Sequence, residues 1–596
     1  MTTEEQTATP KVSRLQENLG RIEALTSRLI AATSARKPHD LALDGPSQEV
    51  FLKAAAAIMA GMMQNPAKLM EQQVGYWTRS LKQYAAVQQA ALTGEPLPEA
   101  PKDRRFSNPL WETNPAFAYI KSQYLLNAEA IQTALTDMEG ISDEDRKRAE
   151  FFTRQIVDLF APTNFLGLNP DALEKAVETE GASLVQGLEN LVRDLEANHG
   201  DPGVTLADPA AFTVGVNIAT TPGEVIFRNR MFELIQYTPV TDKVHKIPLL
   251  IFPPWINKFY VMDMKPANSL IRWIVEQGFT VFVVSWVNPD SSFADVTMDD
   301  YIREGFMTAM AEVRRATDEK KVNCVGYCIA GTTLGLTLAH LQKAGDATVN
   351  AATFFTTLTD FSDAGEVGVF LANDFVDGIE RQSMKDGILS RAYMARTFSF
   401  LRSNDLIWQP AIKHYMLGEA PPAFDLLYWN GDGTNLPAKM AIEYLRNLCQ
   451  DDGFAQGIYK VFGSPVSLAD VKLPLCAIAC ETDHIAHWKG SFNGVKQMGS
   501  KDKTFILSQS GHIAGIINPP SKGKYGHYTN EAPMGAPEAW LETASFNQGS
   551  WWPRWRDWLA ERSGPKVKAR QPGTGALPVL CPAPGTYVTA VPKPMD

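Results

Sequence analysis

The sequence predicts an α/β protein with a mostly parallel sheet, preceded by a helical segment and interrupted by a long helical insertion. Three observations carry this. From about residue 213 short apolar runs alternate with helical patterns; the first 200 or so residues show helical periodicity instead; and between 358 and about 471 the alternation stops. A chain of 596 residues with 45% apolar side chains is long enough to bury a large core and to hold two or more units. These shifts place a mostly helical N-terminal domain at 1–205, its first 45 or so residues a candidate disordered stretch, and a catalytic domain at 206–596. Within the second lie a cap insertion at 358–471 and a Pro-rich tail from about 565.

In the helical part, Met70, Val74, Trp77, Leu81 and Tyr84 recur at steps of four and three, one face of a helix expected to pack on a neighbour, with contact to a partner or a hydrophobic surface as the alternative. Residues 94–109 are rich in Pro and charge and read as a linker. Runs at 224–228 and 231–237, separated by a polar turn, predict a hairpin. Strands at 247–252, 280–286, 322–327 and 351–357 follow, with helices between them over 266–277, from Thr297 and up to about 344. Thr297 with Asp300 is an N-cap followed by an acidic first turn. Strict alternation implies a parallel sheet with helices on both faces. The insertion, heavy in Met, Phe, Trp and Tyr, is too long for an ordinary connection and is expected to be a lid. Strands at 475–480 and 504–507 then resume the sheet.

Composition excludes several functions. A net charge of −11 argues against a nucleic-acid partner, which needs a basic face. Six scattered cysteines do not form a disulfide framework, and none shows zinc-ligand spacing, so no metal is expected. The chain starts with neither the basic residues nor the apolar stretch of a secretory signal, and no apolar run suffices for a transmembrane segment, so the expected place is the cytoplasm.

The chemistry centres on Val322-Asn323-Cys324-Val325-Gly326-Tyr327-Cys328-Ile329-Ala330-Gly331, an apolar strand running into a small-residue turn and a helix. That is the setting of a nucleophile elbow, G-x-Nu-x-G, with Cys328 as nucleophile and Ala330 where Gly is usual. Small residues are needed because strand and helix approach closely and the turn is strained. In an α/β-hydrolase fold the acid and the histidine follow in that order, each after a later strand. Asp483 follows the strand 475–480 and His512 the strand 504–507, so these three are the candidate nucleophile, orienting acid and base. His484 and His487 sit beside the acid and read as neighbours or substrate contacts. The fold also predicts oxyanion donors: the backbone N–H of Ile329, with one from the loop after 247–252 near Trp255 or Ile256.

The segments GYCIAGTT around Cys328, PPWINKFYVMD from Pro253, GFTVFVVSWVNPD from Gly278, FDLLYWNGDGTNLP from Phe424, ETDHIAHW around Asp483 and SGHIAGIINPP around His512 closely resemble a class I polyhydroxyalkanoate synthase, from about residue 100 to the Trp-rich segment 549–559. The resemblance implies polymerisation of (R)-3-hydroxyacyl-CoA, short-chain monomers such as 3-hydroxybutyryl-CoA, release of coenzyme A and an acyl-cysteine intermediate. It implies no cofactor, coenzyme A being part of substrate and product. It also implies a homodimer working at the surface of a polyester granule that carries the growing chain. Arg402 and His484 are implied as contacts to coenzyme A, a surface ion pair being the plainer reading of Arg402. For Trp551, Trp552, Trp555 and Trp558, helical spacing favours packing over contact with polymer. A cysteine-nucleophile thioesterase or dienelactone-hydrolase-like enzyme shares the same three residues, and a non-catalytic granule-binding protein shares the fold but predicts a broken triad.

Overall fold

The structure, a computed structural model, describes residues 9–34, 66–93, 102–136, 142–201, 203–531 and 534–591. It divides into two compact units, Met1–Asp208 with Arg396–Pro422, and Pro209–Ala395 with Ala423–Asp596.

The first unit is helical, with α1 Thr9–Ser34, α2 Pro66–Thr93, α3 Pro115–Thr136, α4 Asp143–Leu159 and α5 Ala182–Ala197. Of the first 45 residues, a candidate disordered stretch in the sequence, 9–34 are helical and the rest lie outside the described residues. The reason is docking: Leu25 of α1 is buried against Val185 and Val192 of α5, with Arg21 on Glu189 at 2.7 Å and Arg28 on Glu196 at 2.6 Å. Exposed ion pairs contribute little, so the apolar contact carries most of this. On α2 the expected packing of the apolar stripe is not found. Met70, Val74, Trp77 and Leu81 are 59–69% exposed, and Tyr84 reaches the ring of Tyr119 at 5.8 Å. The helix meets α3 through another face, Tyr76 donating to Asn127 at 2.7 Å and Arg79 pairing with Glu129 at 2.9 Å, and further along α2 Val87 and Ala90 are buried. Periodicity reports a contrast between faces, not which of them has a neighbour. Of the expected linker, 94–101 lie outside the described residues, whereas 103–106 are fastened. Arg105 pairs with Asp103 at 2.7 Å and Asp158 at 2.8 Å, and Phe106 is buried on Trp111.

Part of the insertion belongs to this helical unit. Asn190 of α5 donates to the carbonyls of His414 at 2.9 Å and Glu419 at 3.1 Å, and the Tyr415 hydroxyl donates to Asp194 at 2.8 Å. Gly187 lies so close to the Tyr415 carbonyl that any side chain there would collide with it. The 358–471 insertion, expected as one cap, is thereby shared between the two units.

The second unit is built on one eleven-stranded sheet. Its strands are β1 Gly223–Arg228, β2 Phe232–Tyr237, β3 Leu249–Phe252, β4 Val281–Trp286, β5 Val322–Tyr327, β6 Val349–Phe355, β7 Leu475–Cys480, β8 Lys503–Ser508, β9 His527–Thr529, β10 Ser545–Asn547 and β11 Cys581–Pro582. They lie in the order β10-β9-β8-β7-β6-β5-β3-β4-β2-β1-β11. From β3 to β8 neighbours are parallel, and the flanking strands are antiparallel. β3, β4, β5 and β7 are buried along their whole length, which is why they read as unbroken apolar runs rather than alternating ones. The expected hairpin is β1 with β2, and Thr297 and Asp300 form a capping box. The Pro-rich tail returns to the sheet edge as β11, a position where Pro is tolerated because no further strand needs its donor. Among the described residues no helix is long and apolar enough to cross a membrane.

Candidate active site

Helix α6 (Ile329–Lys343) starts directly after β5, and Cys328 between them has φ 55° and ψ −125°. An L-residue with positive φ costs about 1–3 kcal/mol, sustained here by packing on both sides. Cys328 N–H donates to the Phe355 carbonyl at 2.9 Å, and its own carbonyl accepts from Gly331 at 2.8 Å and Thr332 at 3.2 Å. A side chain on Gly326 would stand 2.6 Å from the Gly331 Cα, and one on Gly331 would overlap Thr357. The two positions that must be glycine are therefore 326 and 331, and the buried Ala330 stands between Cys328 and the second of them.

Asp483 lies just after β7 and His512 just after β8, two adjacent parallel strands. One oxygen of Asp483 accepts from the N–H groups of Ile485 at 2.8 Å and Ala486 at 2.9 Å, which fixes the carboxylate. The other accepts from Nδ1 of His512 at 2.7 Å, in a fully buried contact. With Nδ1 so engaged, Nε2 is the ring nitrogen left to serve the Cys328 thiol. Burial opposes the charged imidazolium, but Asp483 and Cys328 outweigh it and push the His512 pKa up to about 10. Cys328 is half-buried, whereas Cys324, Cys476 and Cys480 are fully buried in strands, where burial pushes their thiols well above the usual range. The arrangement can move a proton from the Cys328 thiol to an oriented imidazole and expose a sulfur nucleophile.

Ile329 opens α6, where the first N–H groups of a helix have no partner within it. Trp255 is buried and stacks on Tyr301 at 4.4 Å, and the Ile256 carbonyl accepts from Thr434 N–H at 2.9 Å, so the loop after β3 is held in place. His484 sits in the turn that Asp483 caps. His487 pairs with Asp363 at 3.0 Å. Arg402 belongs to the other unit and is ion-paired with Asp405 on a surface-exposed side chain.

Two family models match the chain: residues 102–274 fit the poly-beta-hydroxybutyrate polymerase (PhaC) N-terminus, and residues 247–519 fit the alpha/beta hydrolase fold. A poly(3-hydroxyalkanoate) polymerase of Methylorubrum extorquens is 44% identical over 527 residues, 88% of this chain and 86% of that protein. The chain belongs to the poly(3-hydroxyalkanoate) polymerases. Polymerase subunits of Rhizobium meliloti (39% identical, 97% of this chain, 94% of the relative) and Cupriavidus necator (40% identical, 89% and 90%) are similar over comparable lengths.

In this polymerase chain the structure adds a residue that pattern reading missed. Tyr444, half-buried at the start of the π-helical turn Tyr444–Gln450, lies close to Thr332 and Cys449 and near enough to Cys328 to feel its charge. Burial first, then the Cys449 and Cys328 thiols, push its phenol well above the ordinary range, so it remains a neutral donor. Its ring meets Phe361 edge-on at 6.1 Å. The insertion has no regular period, so nothing in its sequence separates Tyr444 from the other aromatic residues there.

Proposed function

We propose that the chain polymerises (R)-3-hydroxyacyl-CoA into polyhydroxyalkanoate, with Cys328 as nucleophile, His512 as general base and acid, and Asp483 as the group that orients His512. The observation that carries this is the buried Asp483–His512 hydrogen bond of 2.7 Å beside a cysteine in a strained elbow.

The Cys328 thiol gives its proton to Nε2 of His512, and the thiolate adds to the thioester carbonyl of the substrate. The C–S bond to coenzyme A then breaks, coenzyme A leaves as the thiol with the proton from His512, and the acyl group stays on Cys328. Exchange of one thioester for another is nearly balanced, so the chain is not trapped there. The 3-hydroxyl of the next acyl-CoA passes its proton to His512 and attacks the acyl-cysteine carbonyl; an oxoester forms and Cys328 leaves as thiolate. The lengthened acyl-CoA returns to Cys328 by the first step. His512 is favoured over Asp483 as the acceptor of the hydroxyl proton, because both oxygens of Asp483 are already engaged. The N–H of Ile329, with that of Trp255 or Ile256, would stabilise the tetrahedral oxyanions, each donor worth about 3 kcal/mol of barrier.

His484, next to Asp483, is proposed as a contact to coenzyme A. The case for Arg402 rests on its charge and requires that Asp405 release it. The class I resemblance supports a homodimer acting on short monomers at a cytoplasmic granule surface. The test is incubation with (R)-3-hydroxybutyryl-CoA, following coenzyme A release and turbidity together, beside Cys328→Ala. Both signals, lost in the variant, are expected; coenzyme A release with soluble hydroxy acid and no polymer would make the enzyme a thioesterase.

A further inference from the structure

A histidine base on a loop needs more than one hydrogen bond to keep its place. Asp483 fixes one ring nitrogen of His512 but leaves the backbone of the loop free to shift. In this chain that backbone is fastened by buried side-chain donors from two other parts of the unit. The Tyr327 hydroxyl donates to the carbonyl of His512 itself at 3.0 Å. The indole N–H of Trp551 donates to the Gly515 carbonyl at 2.8 Å, and that of Trp552 to the Ile516 carbonyl at 2.8 Å. Ser508 adds a donor to Gly515 at 2.9 Å. All three aromatic residues are at most 1% exposed, so water does not compete for these carbonyls. An indole is a donor only, and one that loses its acceptor in such a place leaves an unmet polar group. The loop is also closed from within, since Gly515 packs so tightly on the Cys480 sulfur and the Gln509 carbonyl that no side chain fits.

Tyr327 has a special place in this set. It precedes Cys328 in the chain, so its side chain runs from the residue beside the nucleophile to the backbone of the base, and its ring stands 5.8 Å from the imidazole. The bond therefore sets the separation of Cys328 and His512 by a route that does not pass through Asp483. Burial pushes the phenol well above its ordinary range, which keeps its proton available as a donor.

We propose that Tyr327, Trp551 and Trp552 are positioning residues that keep His512 within reach of Cys328 by fastening the carbonyls of its loop. The proposal rests on the reading of Cys328 as nucleophile and His512 as its base. It gives the Trp-rich segment a role in the reaction that helical packing alone does not supply.

The test compares full-length wild type with Tyr327→Phe, which keeps the ring and removes only the hydroxyl, and with Trp552→Phe as a second variant. Three quantities are measured: kcat and KM for (R)-3-hydroxybutyryl-CoA per titrated active site, the rate of Cys328 alkylation by iodoacetamide at pH 7, and the titration of His512 by NMR of its ring. In Tyr327→Phe, kcat and the alkylation rate are expected to fall roughly threefold to tenfold, the worth of one neutral hydrogen bond, with KM unchanged. The His512 midpoint is expected to move down from about 10 as its contacts loosen. A purely structural role would lower the melting temperature and the active fraction while leaving per-site kcat and the His512 midpoint as in wild type, and that result overturns the proposal. If instead Cys328→Ala polymerises as well as wild type, the underlying reading of the site fails, and the positioning role with it.

Discussion

Replacing Asp483 by Asn tests the centre of the site with little change in shape. The Asn carbonyl can still accept from Ile485 and Ala486, so the turn survives, but its amide N–H group then faces Nδ1 of His512. The imidazole must accept there and carry its proton on Nε2, toward the thiol it should deprotonate. The displacement of His512 from 6.5 to about 10 amounts to about 5 kcal/mol in favour of the imidazolium, and Asp483 is the largest of the contributions that overcome burial. Losing that charge and the correct tautomer together should slow acylation of Cys328 by roughly 10³- to 10⁴-fold, with KM and thermal stability close to wild type. Rapid-quench measurement of coenzyme A release in a single turnover reads the step directly, and the iodoacetamide rate at pH 7 reads the thiol without substrate. A variant within tenfold of wild type in both assays would refute the role of Asp483 and show that another group orients the base.

Three further outcomes are expected. Cys328→Ala should lower the His512 titration midpoint below about 10, because Cys328 beside it raises it in the intact site; NMR of the labelled imidazole checks this, and an unmoved midpoint would deny that influence. Leu25→Ala should cost roughly 2–4 kcal/mol of the docking of α1 on α5. Limited proteolysis within Thr9–Ser34 should then become faster, and equal cleavage of both proteins would mean that the helix is held by something else. On the proposed mechanism, Tyr444→Ala opens space beside Cys328 to water, so a larger share of released coenzyme A should be matched by free hydroxy acid rather than polymer; an unchanged ratio would show that Tyr444 does not shield Cys328 from water.

The parallel sheet was legible because its strands are buried on both faces and each is set off by a helix, so strand, helix and order could be read from apolar runs alone. The helical unit was less so. The apolar stripe of α2 has the period of a buried face, yet Trp77 and Leu81 are exposed while Tyr76 and Arg79 make the contact with α3. The docking of α1 depends on Leu25 meeting Val185 and Val192, residues far away in the chain, and no local pattern reports such a meeting. The same holds for the insertion, where Tyr415 reaches Asp194 across 221 positions of sequence.

The site divides along the same physical line. Cys328, Asp483 and His512 each follow a recognisable strand, so topology alone brings them to the same end of neighbouring parallel strands and makes them candidates together. What surrounds them is set by side chains reaching a carbonyl or a thiol from elsewhere. Trp551 and Trp552 do pack, as their helical spacing implies, but periodicity carries no information on where an indole N–H points, and these two point at the loop of His512. The elbow shows the complementary case. A motif that asks for glycine two residues after the nucleophile is violated by Ala330, yet the crowding that requires glycine falls on Gly331 against Thr357, one residue further along. A sequence pattern is thus a proxy for a steric contact, and where the two part it is the contact that decides: Gly331→Ala should harm this elbow more than Ala330→Gly.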